Sequence, residues 1–225
     1  KIARQGLINK GYDEVEANQK RLERLREQAG NRVYRTWIPD GEMKQFRFLN
    51  EEPITFYEHR VQIGNTKRPE FYTCLGDGCP LCKIADGRRI AKSRFVGAFL
   101  VIDRSEYVAQ SGQNKGQTMK DIPRLFIEGQ MTLSQLEVFH KSKGLTKREY
   151  SITRNDKVKT IIPDDPTSLS KSDKKIVNEL LEKCEVSSVD ELIVKQIEAQ
   201  TFSEEELEER FGESETSSAS KMRTF

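Results

Sequence analysis

The chain of 225 residues reads as a β-rich α+β fold: a small barrel of short strands, carrying a cysteine-rich insertion and flanked by helices. Three observations point there. Runs of β-branched and aromatic residues with local alternation recur from Arg32 to Pro163, bounded by Pro, Gly, Asn and Asp. Only 35% of residues are hydrophobic while 33% are charged, enough apolar material for a compact middle with solvated ends. Beyond residue 165 the apolar spacing becomes that of amphipathic helices.

The elements follow in order. DEVEANQKRLERLREQ (13–28) contains strong helix formers, with Glu early and Arg late to match the helix dipole. Its apolar stripe is thin, so residues 1–31 are expected to form a helical arm ended by Gly30-Asn31. The strands VYRTWIP, QFRFL and ITFYEHRVQI come next, separated by Pro39-Asp40-Gly41 and by Asn50-Glu51-Glu52-Pro53. A cysteine cluster leads into a basic, helix-like stretch from Lys83 to Arg94. RFVGAFLVIDR (94–104), the most apolar run, reads as a buried strand. After the loop QSGQNKGQ come the strand IPRLFIEG, a helix ended by Gly144, and the hairpin REYSITRNDKVKTIIP with Asn155-Asp156 near its turn. Six or more short strands with one inserted helix make an OB-fold-like barrel the natural candidate. The expected core spans 32–165, with the insertion at about 53–94. A helical region at 166–212 follows, capped by Ser168 or Ser170, Ser188 and Ser203, and then a disordered polar tail at 213–225.

The net charge of +2 conceals an asymmetry. Arg32 to Pro163 holds 23 Lys/Arg against 15 Asp/Glu, whereas residues 164–225 hold 8 against 16. A basic body suits a polyanionic partner; the acidic third is either a competitor for that partner, a protein-docking segment or a set of solvated helices. No apolar run approaches the roughly 20 residues that cross a bilayer, and the N-terminal residues lack a signal-peptide apolar region. The expectation is a soluble, cytoplasmic protein with no membrane partner, whose four cysteines are metal ligands or reduced thiols.

Cys74, Cys79 and Cys82 form C-x4-C-x2-C. A CxxC pair presents two thiolates to one ion from a tight turn, and Gly76 and Gly78 give the chain the freedom to bring the third. Zinc takes four N or S ligands, so one more is required. His59, on the strand running into the cluster, is the best placed, with His140 and Cys184 as alternatives. No open position or general base is evident, which makes one structural Zn2+ the expected cofactor.

Basic and aromatic residues interleave through the strands in the manner of single-stranded nucleic-acid binders, which need cations for phosphates and ring faces for bases. Alternation lets only half of them line a groove. Phe46 and Phe48 are expected in the core, which turns Arg47 outward. Trp37, Tyr57, Tyr72 and Tyr107 are the stacking candidates. Arg35, Lys44, Arg47, Arg60, Lys67 and Arg68 supply cations, and Arg88, Arg89, Lys92 and Arg94 could follow phosphates. HExxH, a Walker A loop and the deaminase pair H-x-E with P-C-x-x-C are all missing from the sequence, so no enzyme is expected.

PITFYEHRV followed by FYTCLGDGCPLC resembles the zinc segment of the helix-destabilising, single-stranded-DNA-binding proteins of tailed bacteriophages, typified by the T-even phages. Pro53, Phe56 and His59 match its P-x-x-F-x-x-H strand, and Pro80 its C-P-x-C element. FRFL (46–49), GAFLVID (97–103) and the REYSITRN…KTII hairpin are also similar to strands of that family. The resemblance covers roughly 32–163. It implies an OB-fold with an inserted zinc subdomain, His59, Cys74, Cys79 and Cys82 as ligands, and coating of single-stranded DNA in replication, recombination and repair. It also implies self-association along DNA and recruitment of replisome proteins by an acidic C-terminal region. The sequence departs from the family in a shorter first cysteine spacing, a mixed-charge N-terminal helix, and Lys221, Met222, Arg223 and Phe225 after the acidic run. A zinc-stapled adaptor docking on a replication or transcription complex through its C-terminal helices is the alternative.

Overall fold

The computed structural model describes residues 31–62, 69–85, 87, 89–109 and 115–211. The chain divides into two units, 1–33 and 34–225, and the description below is of the second. The arm expected at 1–31 falls, but for its last residue, outside the described residues, as does the tail expected at 213–225.

Seven strands form one mostly antiparallel sheet: β1 (Met43–Phe48), β2 (Ile54–Val61), β3 (Glu70–Thr73), β4 (Arg94–Asp103), β7 (Ile122–Gly129), β8 (Arg148–Asn155) and β9 (Val158–Pro166). β5 (Tyr107–Val108) and β6 (Thr118–Met119) make a separate small ribbon. The helices are α1 (Pro80–Lys83), α2 (Gln130–Lys143), α3 (Lys171–Lys183), α4 (Val189–Glu198) and α5 (Glu204–Phe211). Together they make a mixed α+β fold, and most of the strands expected from the sequence are present. VYRTWIP forms only an isolated bridge at Arg35, and the stretch expected to be helix-like from Lys83 to Arg94 is, among its described residues, helical only at Lys83, because Ile90 bridges back to Val61 of β2.

The organising element is β4. Along one edge its first half pairs with β2 (Glu58↔Arg94 to Ile54↔Ala98) and its second half with β1 (Phe48↔Val101 to Phe46↔Asp103). β7 runs along the other edge. Its continuous apolar run is explained by burial on both faces. Phe99 and Val101 enter a core with Phe46, Phe48, Phe126, Tyr150 and, from α2, Leu133 and Leu136. Phe48 lies at its centre, with ring centroids 5.3 Å from Phe99 and Tyr150 and 5.5 Å from Phe126. Residues 96, 98, 100 and 102 point the other way and are also buried. There α4 packs against β4 and β2, bringing buried Leu192 and Ile193. Gly97 is required between these layers, because a Cβ there would lie 2.8 Å from that of Pro53 and 2.9 Å from Leu133.

The barrel expected from the strand pattern is not closed. The order runs β3-β2-β4-β1-β8-β9 with β7 on β4, and no ladder joins β9 to β7. The reason is that the far edge of β7 is already occupied: Thr36 N–H donates to Leu125 O (2.9 Å) and Leu125 N–H to Tyr34 O (3.0 Å), a parallel bridge centred on Arg35. The ion pair Lys159–Glu128, 2.7 Å, links β9 to β7.

The acidic C-terminal third is packed on the body. Ser170, Ser188 and Ser203 cap their helices, Ser170 through a full capping box with Asp173. Asp173 then reaches Arg104 (2.8 Å), which also binds Glu149 (2.7 Å), so part of the acidic charge is used inside the fold. Among the described residues no helix is long and apolar enough to cross a membrane.

Candidate metal centre

The β2–β3 ladder sets His59 opposite Tyr72. Just past it, Cys74 N–H donates to Tyr57 O (2.8 Å), which brings the first cysteine back beside β2. The chain then reverses through Gly76 (φ +81) and Gly78 (φ +90), left-handed conformations that a side chain would strain. Cys79 N–H donates to Gly76 O and Cys82 N–H to Cys79 O (3.0 Å), with Pro80 starting the single turn of α1. This turn aims both thiols of the CxxC pair at one point.

The Nε2 of His59 and the sulfurs of Cys74, Cys79 and Cys82 all lie within 4.8 Å of one another. Nε2 is 3.3 Å from Cys82 Sγ and 3.7 Å from Cys79 Sγ, and the Cys74 and Cys82 sulfurs are 3.6 Å apart. A tetrahedral zinc with Zn–S about 2.3 Å and Zn–N about 2.0–2.1 Å has edges of roughly 3.5–3.8 Å, so these separations fit. The histidine is oriented for the task. Its Nδ1 lies 2.9 Å from Ala91 O, and a carbonyl only accepts, so Nδ1 carries the proton and Nε2 turns a lone pair to the sulfurs. His59 and Cys79 are buried, Cys74 is intermediate and Cys82 is exposed.

Four residues are therefore placed to hold a metal ion, and the set is compatible with one zinc. Burial and the neighbouring Cys74 raise the Cys82 thiol to about 11 in the metal-free cluster. Burial also pushes Cys79 up, but hydrogen bonds from the backbone of Leu75, Cys82 and Leu81 outweigh it and lower that thiol. Three thiolates this close repel one another until a cation joins them, so metal uptake should release protons. Four protein donors leave no open coordination position. The alternatives from the sequence are elsewhere: Cys184 is buried at the end of α3, and His140 Nδ1 lies 3.1 Å from a Glu51 oxygen.

Around the centre Val61, Tyr72, Leu81 and Ile90 form a small core of their own, closed by Leu207 of α5 with Phe202 and Phe211 against it. Arg210–Glu70 (3.1 Å) and Lys83–Glu204 (3.6 Å) fasten its rim.

The structure gives the basic and aromatic candidates different fates. Arg94 and Arg35 both bind Glu58, at 2.7 and 2.9 Å, and Glu58 is buried next to the ligand His59. Their guanidiniums lie 4.2 Å (Arg35) and 5.7 Å (Arg94) from the ring centre of Phe71. Lys44 pairs with Asp103 (3.0 Å). Arg60, Arg89 and Lys92 are exposed, as are Trp37, Tyr57 and Tyr107. Lys67, Arg68 and Arg88 lie outside the described residues.

Two expectations are corrected. Arg47 does point away from the Phe46/Phe48 core, but it is 1% exposed, because the chain after β9 covers that face: its guanidinium donates to Thr167 O and Oγ1, both at 2.7 Å. Tyr72 is 2% exposed, sealed by α5, and unavailable for stacking. Sequence reasoning missed Glu58, whose only sign was an acid within a strand of cations, and it missed Arg124 and Arg154, each placed over an exposed ring.

Compared with protein-family models, curated proteins and solved structures, the chain matches none.

Proposed function

We propose that the protein is a non-enzymatic, largely sequence-tolerant single-stranded-DNA-binding protein whose one zinc ion is structural. The observation that carries this reading is the face of the β2–β3 ladder holding Arg60 and Phe71 as direct partners, with Arg35 and Arg94 converging on the same ring. Exposed Arg60 beside that ring offers a cation for a phosphate next to an aromatic face for a base, as a strand without a duplex partner requires, while Arg35 and Arg94 are already paired with Glu58. The metal centre folds the loop that ends this ladder, and Tyr57 stands exposed beside it.

The finer architectural reading follows the same line. In this reading the strand order β7-β4-β1-β8-β9, with α2 connecting β7 to β8, would correspond to a partly open OB barrel. Roles in phage-type replication, recombination and repair, self-association along DNA and replisome partners belong to this proposal. The adaptor reading has less support, because α4 and α5 turn their buried apolar residues onto the chain's own sheet and metal module.

Labelled oligo-dT and a duplex of equal length, titrated by fluorescence anisotropy over a range of salt, test the reading. The expected result is tighter binding of the single strand, with affinity falling linearly in log–log against salt. Equal affinity for both forms, or none at low salt, would reject it.

A further inference from the structure

Resting on the single-strand reading, we propose a second nucleobase subsite, built by Trp37 with Arg154 and by Tyr34 and Tyr107 with Arg124.

The rings are open to solvent: Trp37 is 54% exposed, Tyr34 50% and Tyr107 41%. Each has a guanidinium over it, Arg154 at 4.6 Å from the centre of Trp37 and Arg124 at 5.9 and 5.6 Å from Tyr34 and Tyr107. The two arginines differ in their partners from several others near the sheet. Arg35, Arg94 and Arg104 are each neutralised by a carboxylate. Arg154 donates instead to the carbonyls of Asp156 (2.8 Å) and Ile38 (3.3 Å), and Arg124 to the Tyr107 hydroxyl (3.1 Å). Among the described residues neither meets a carboxylate. An uncompensated positive charge beside an open ring is the pairing that a phosphate and an unstacked base would satisfy together.

The framework is also stiff. Tyr34 and Trp37 belong to one short extended segment, hydrogen-bonded to β7 at Leu125, and their Cα atoms are at most about 10 Å apart. On the Trp37 side, Gly41 N–H donates to Arg154 O (2.8 Å) and Arg154 N–H to Glu42 O (3.2 Å). Both members of that stack are therefore held before any ligand arrives, which lowers the ordering cost of binding. A ring capped on one face by a guanidinium keeps the opposite face for one base. A duplex, whose bases are already stacked, has none to offer.

Trp37 is the only tryptophan in the sequence, so tryptophan emission excited beyond tyrosine absorption reports this subsite alone. The full chain is titrated with labelled oligo-dT, following label anisotropy and tryptophan emission in parallel, for wild type, Arg124→Ala, Arg154→Ala and Arg154→Lys. The expected result is quenching that tracks the anisotropy isotherm, affinity about fivefold or more weaker in each alanine variant, and an intermediate loss for the lysine, which keeps the charge and loses the planar stack. Anisotropy that rises while emission stays fixed, with Arg124→Ala binding as wild type does, would overturn the subsite and leave the single-strand reading standing. No anisotropy change at low salt would overturn both. If Arg154→Ala fails to fold, wild-type quenching and Arg124→Ala decide the question.

Discussion

Tyr72 meets Phe211 edge-on, with ring centroids 5.4 Å apart at 90°, so α5 closes over the residue directly opposite the metal ligand His59. The same tyrosine touches Phe202 at 5.4 Å, and burial together with its hydrogen bond to Glu70 pushes its hydroxyl well above the ordinary range. The last described helix is a wall of the metal module.

Removing the metal should therefore release α5. After chelation, limited proteolysis is expected to cut near 199–204 faster than in the metal-loaded protein. Leu207→Ala, at a fully buried position in the same cluster, should cost about 2–4 kcal/mol of stability in urea unfolding.

The metal content should be one zinc per chain by elemental analysis, lost in His59→Ala and retained in His59→Cys, which supplies a fourth thiolate. Chelation should lower the melting temperature by about 5 °C or more, since binding energy at a structural site is folding energy. A pH-indicator assay on reloading should show protons released, because Cys82 begins protonated.

Arg47→Ala is expected to separate stability from binding. Its guanidinium is desolvated, which lowers its pKa, and serves Thr167 and Glu149 in the interior. Truncation should cost about 2–4 kcal/mol in urea unfolding by stranding those partners. Affinity for oligo-dT should stay within about twofold under conditions where the variant is folded.

Glu51 gives the acid limb of stability a specific origin. Burial would raise its carboxyl, but hydrogen bonds from Thr146, Leu145 and His140 outweigh that and hold it down at about 2, against an ordinary value of 4.5. A depressed carboxylate stabilises the fold above its unfolded pKa, and that contribution is lost as pH falls from 4.5 towards 2. The difference in melting temperature between wild type and Glu51→Gln should be largest near pH 6 and shrink towards pH 2–3, roughly as a single titration.

The local part of this structure was legible in the sequence. The cysteine spacing with its two glycines located the cluster, alternation placed Phe46 and Phe48 inside, and capping serines marked the starts of α3, α4 and α5, the first as Ser168 or Ser170 and the last by its spacing to Glu206. What escaped were contacts made by residues far apart in the chain. Alternation correctly turned Arg47 away from the core but could not show that Thr167, 120 positions later, covers that face. Tyr72 read as a stacking residue because the helix that buries it comes more than a hundred residues afterwards. Barrel closure failed for a similar reason: the edge β9 would have used was already taken by residues 34–36, whose strand-like run carries no sign of its partner.

β1 and β4 pair directly, yet everything between Phe48 and Val101, including the metal centre, is a detour from that ladder. For an unfolded chain, bringing the two strands together closes a loop of roughly fifty residues, at an entropic cost of about 3.5 kcal/mol before any contact is gained. A detour that has already folded around its ion shortens the free path between the strands. A bound metal would then act on the rate at which the central strand finds its partner as well as on how long it stays there, and chains refolded without it should accumulate with β4, the most apolar segment, still unpaired.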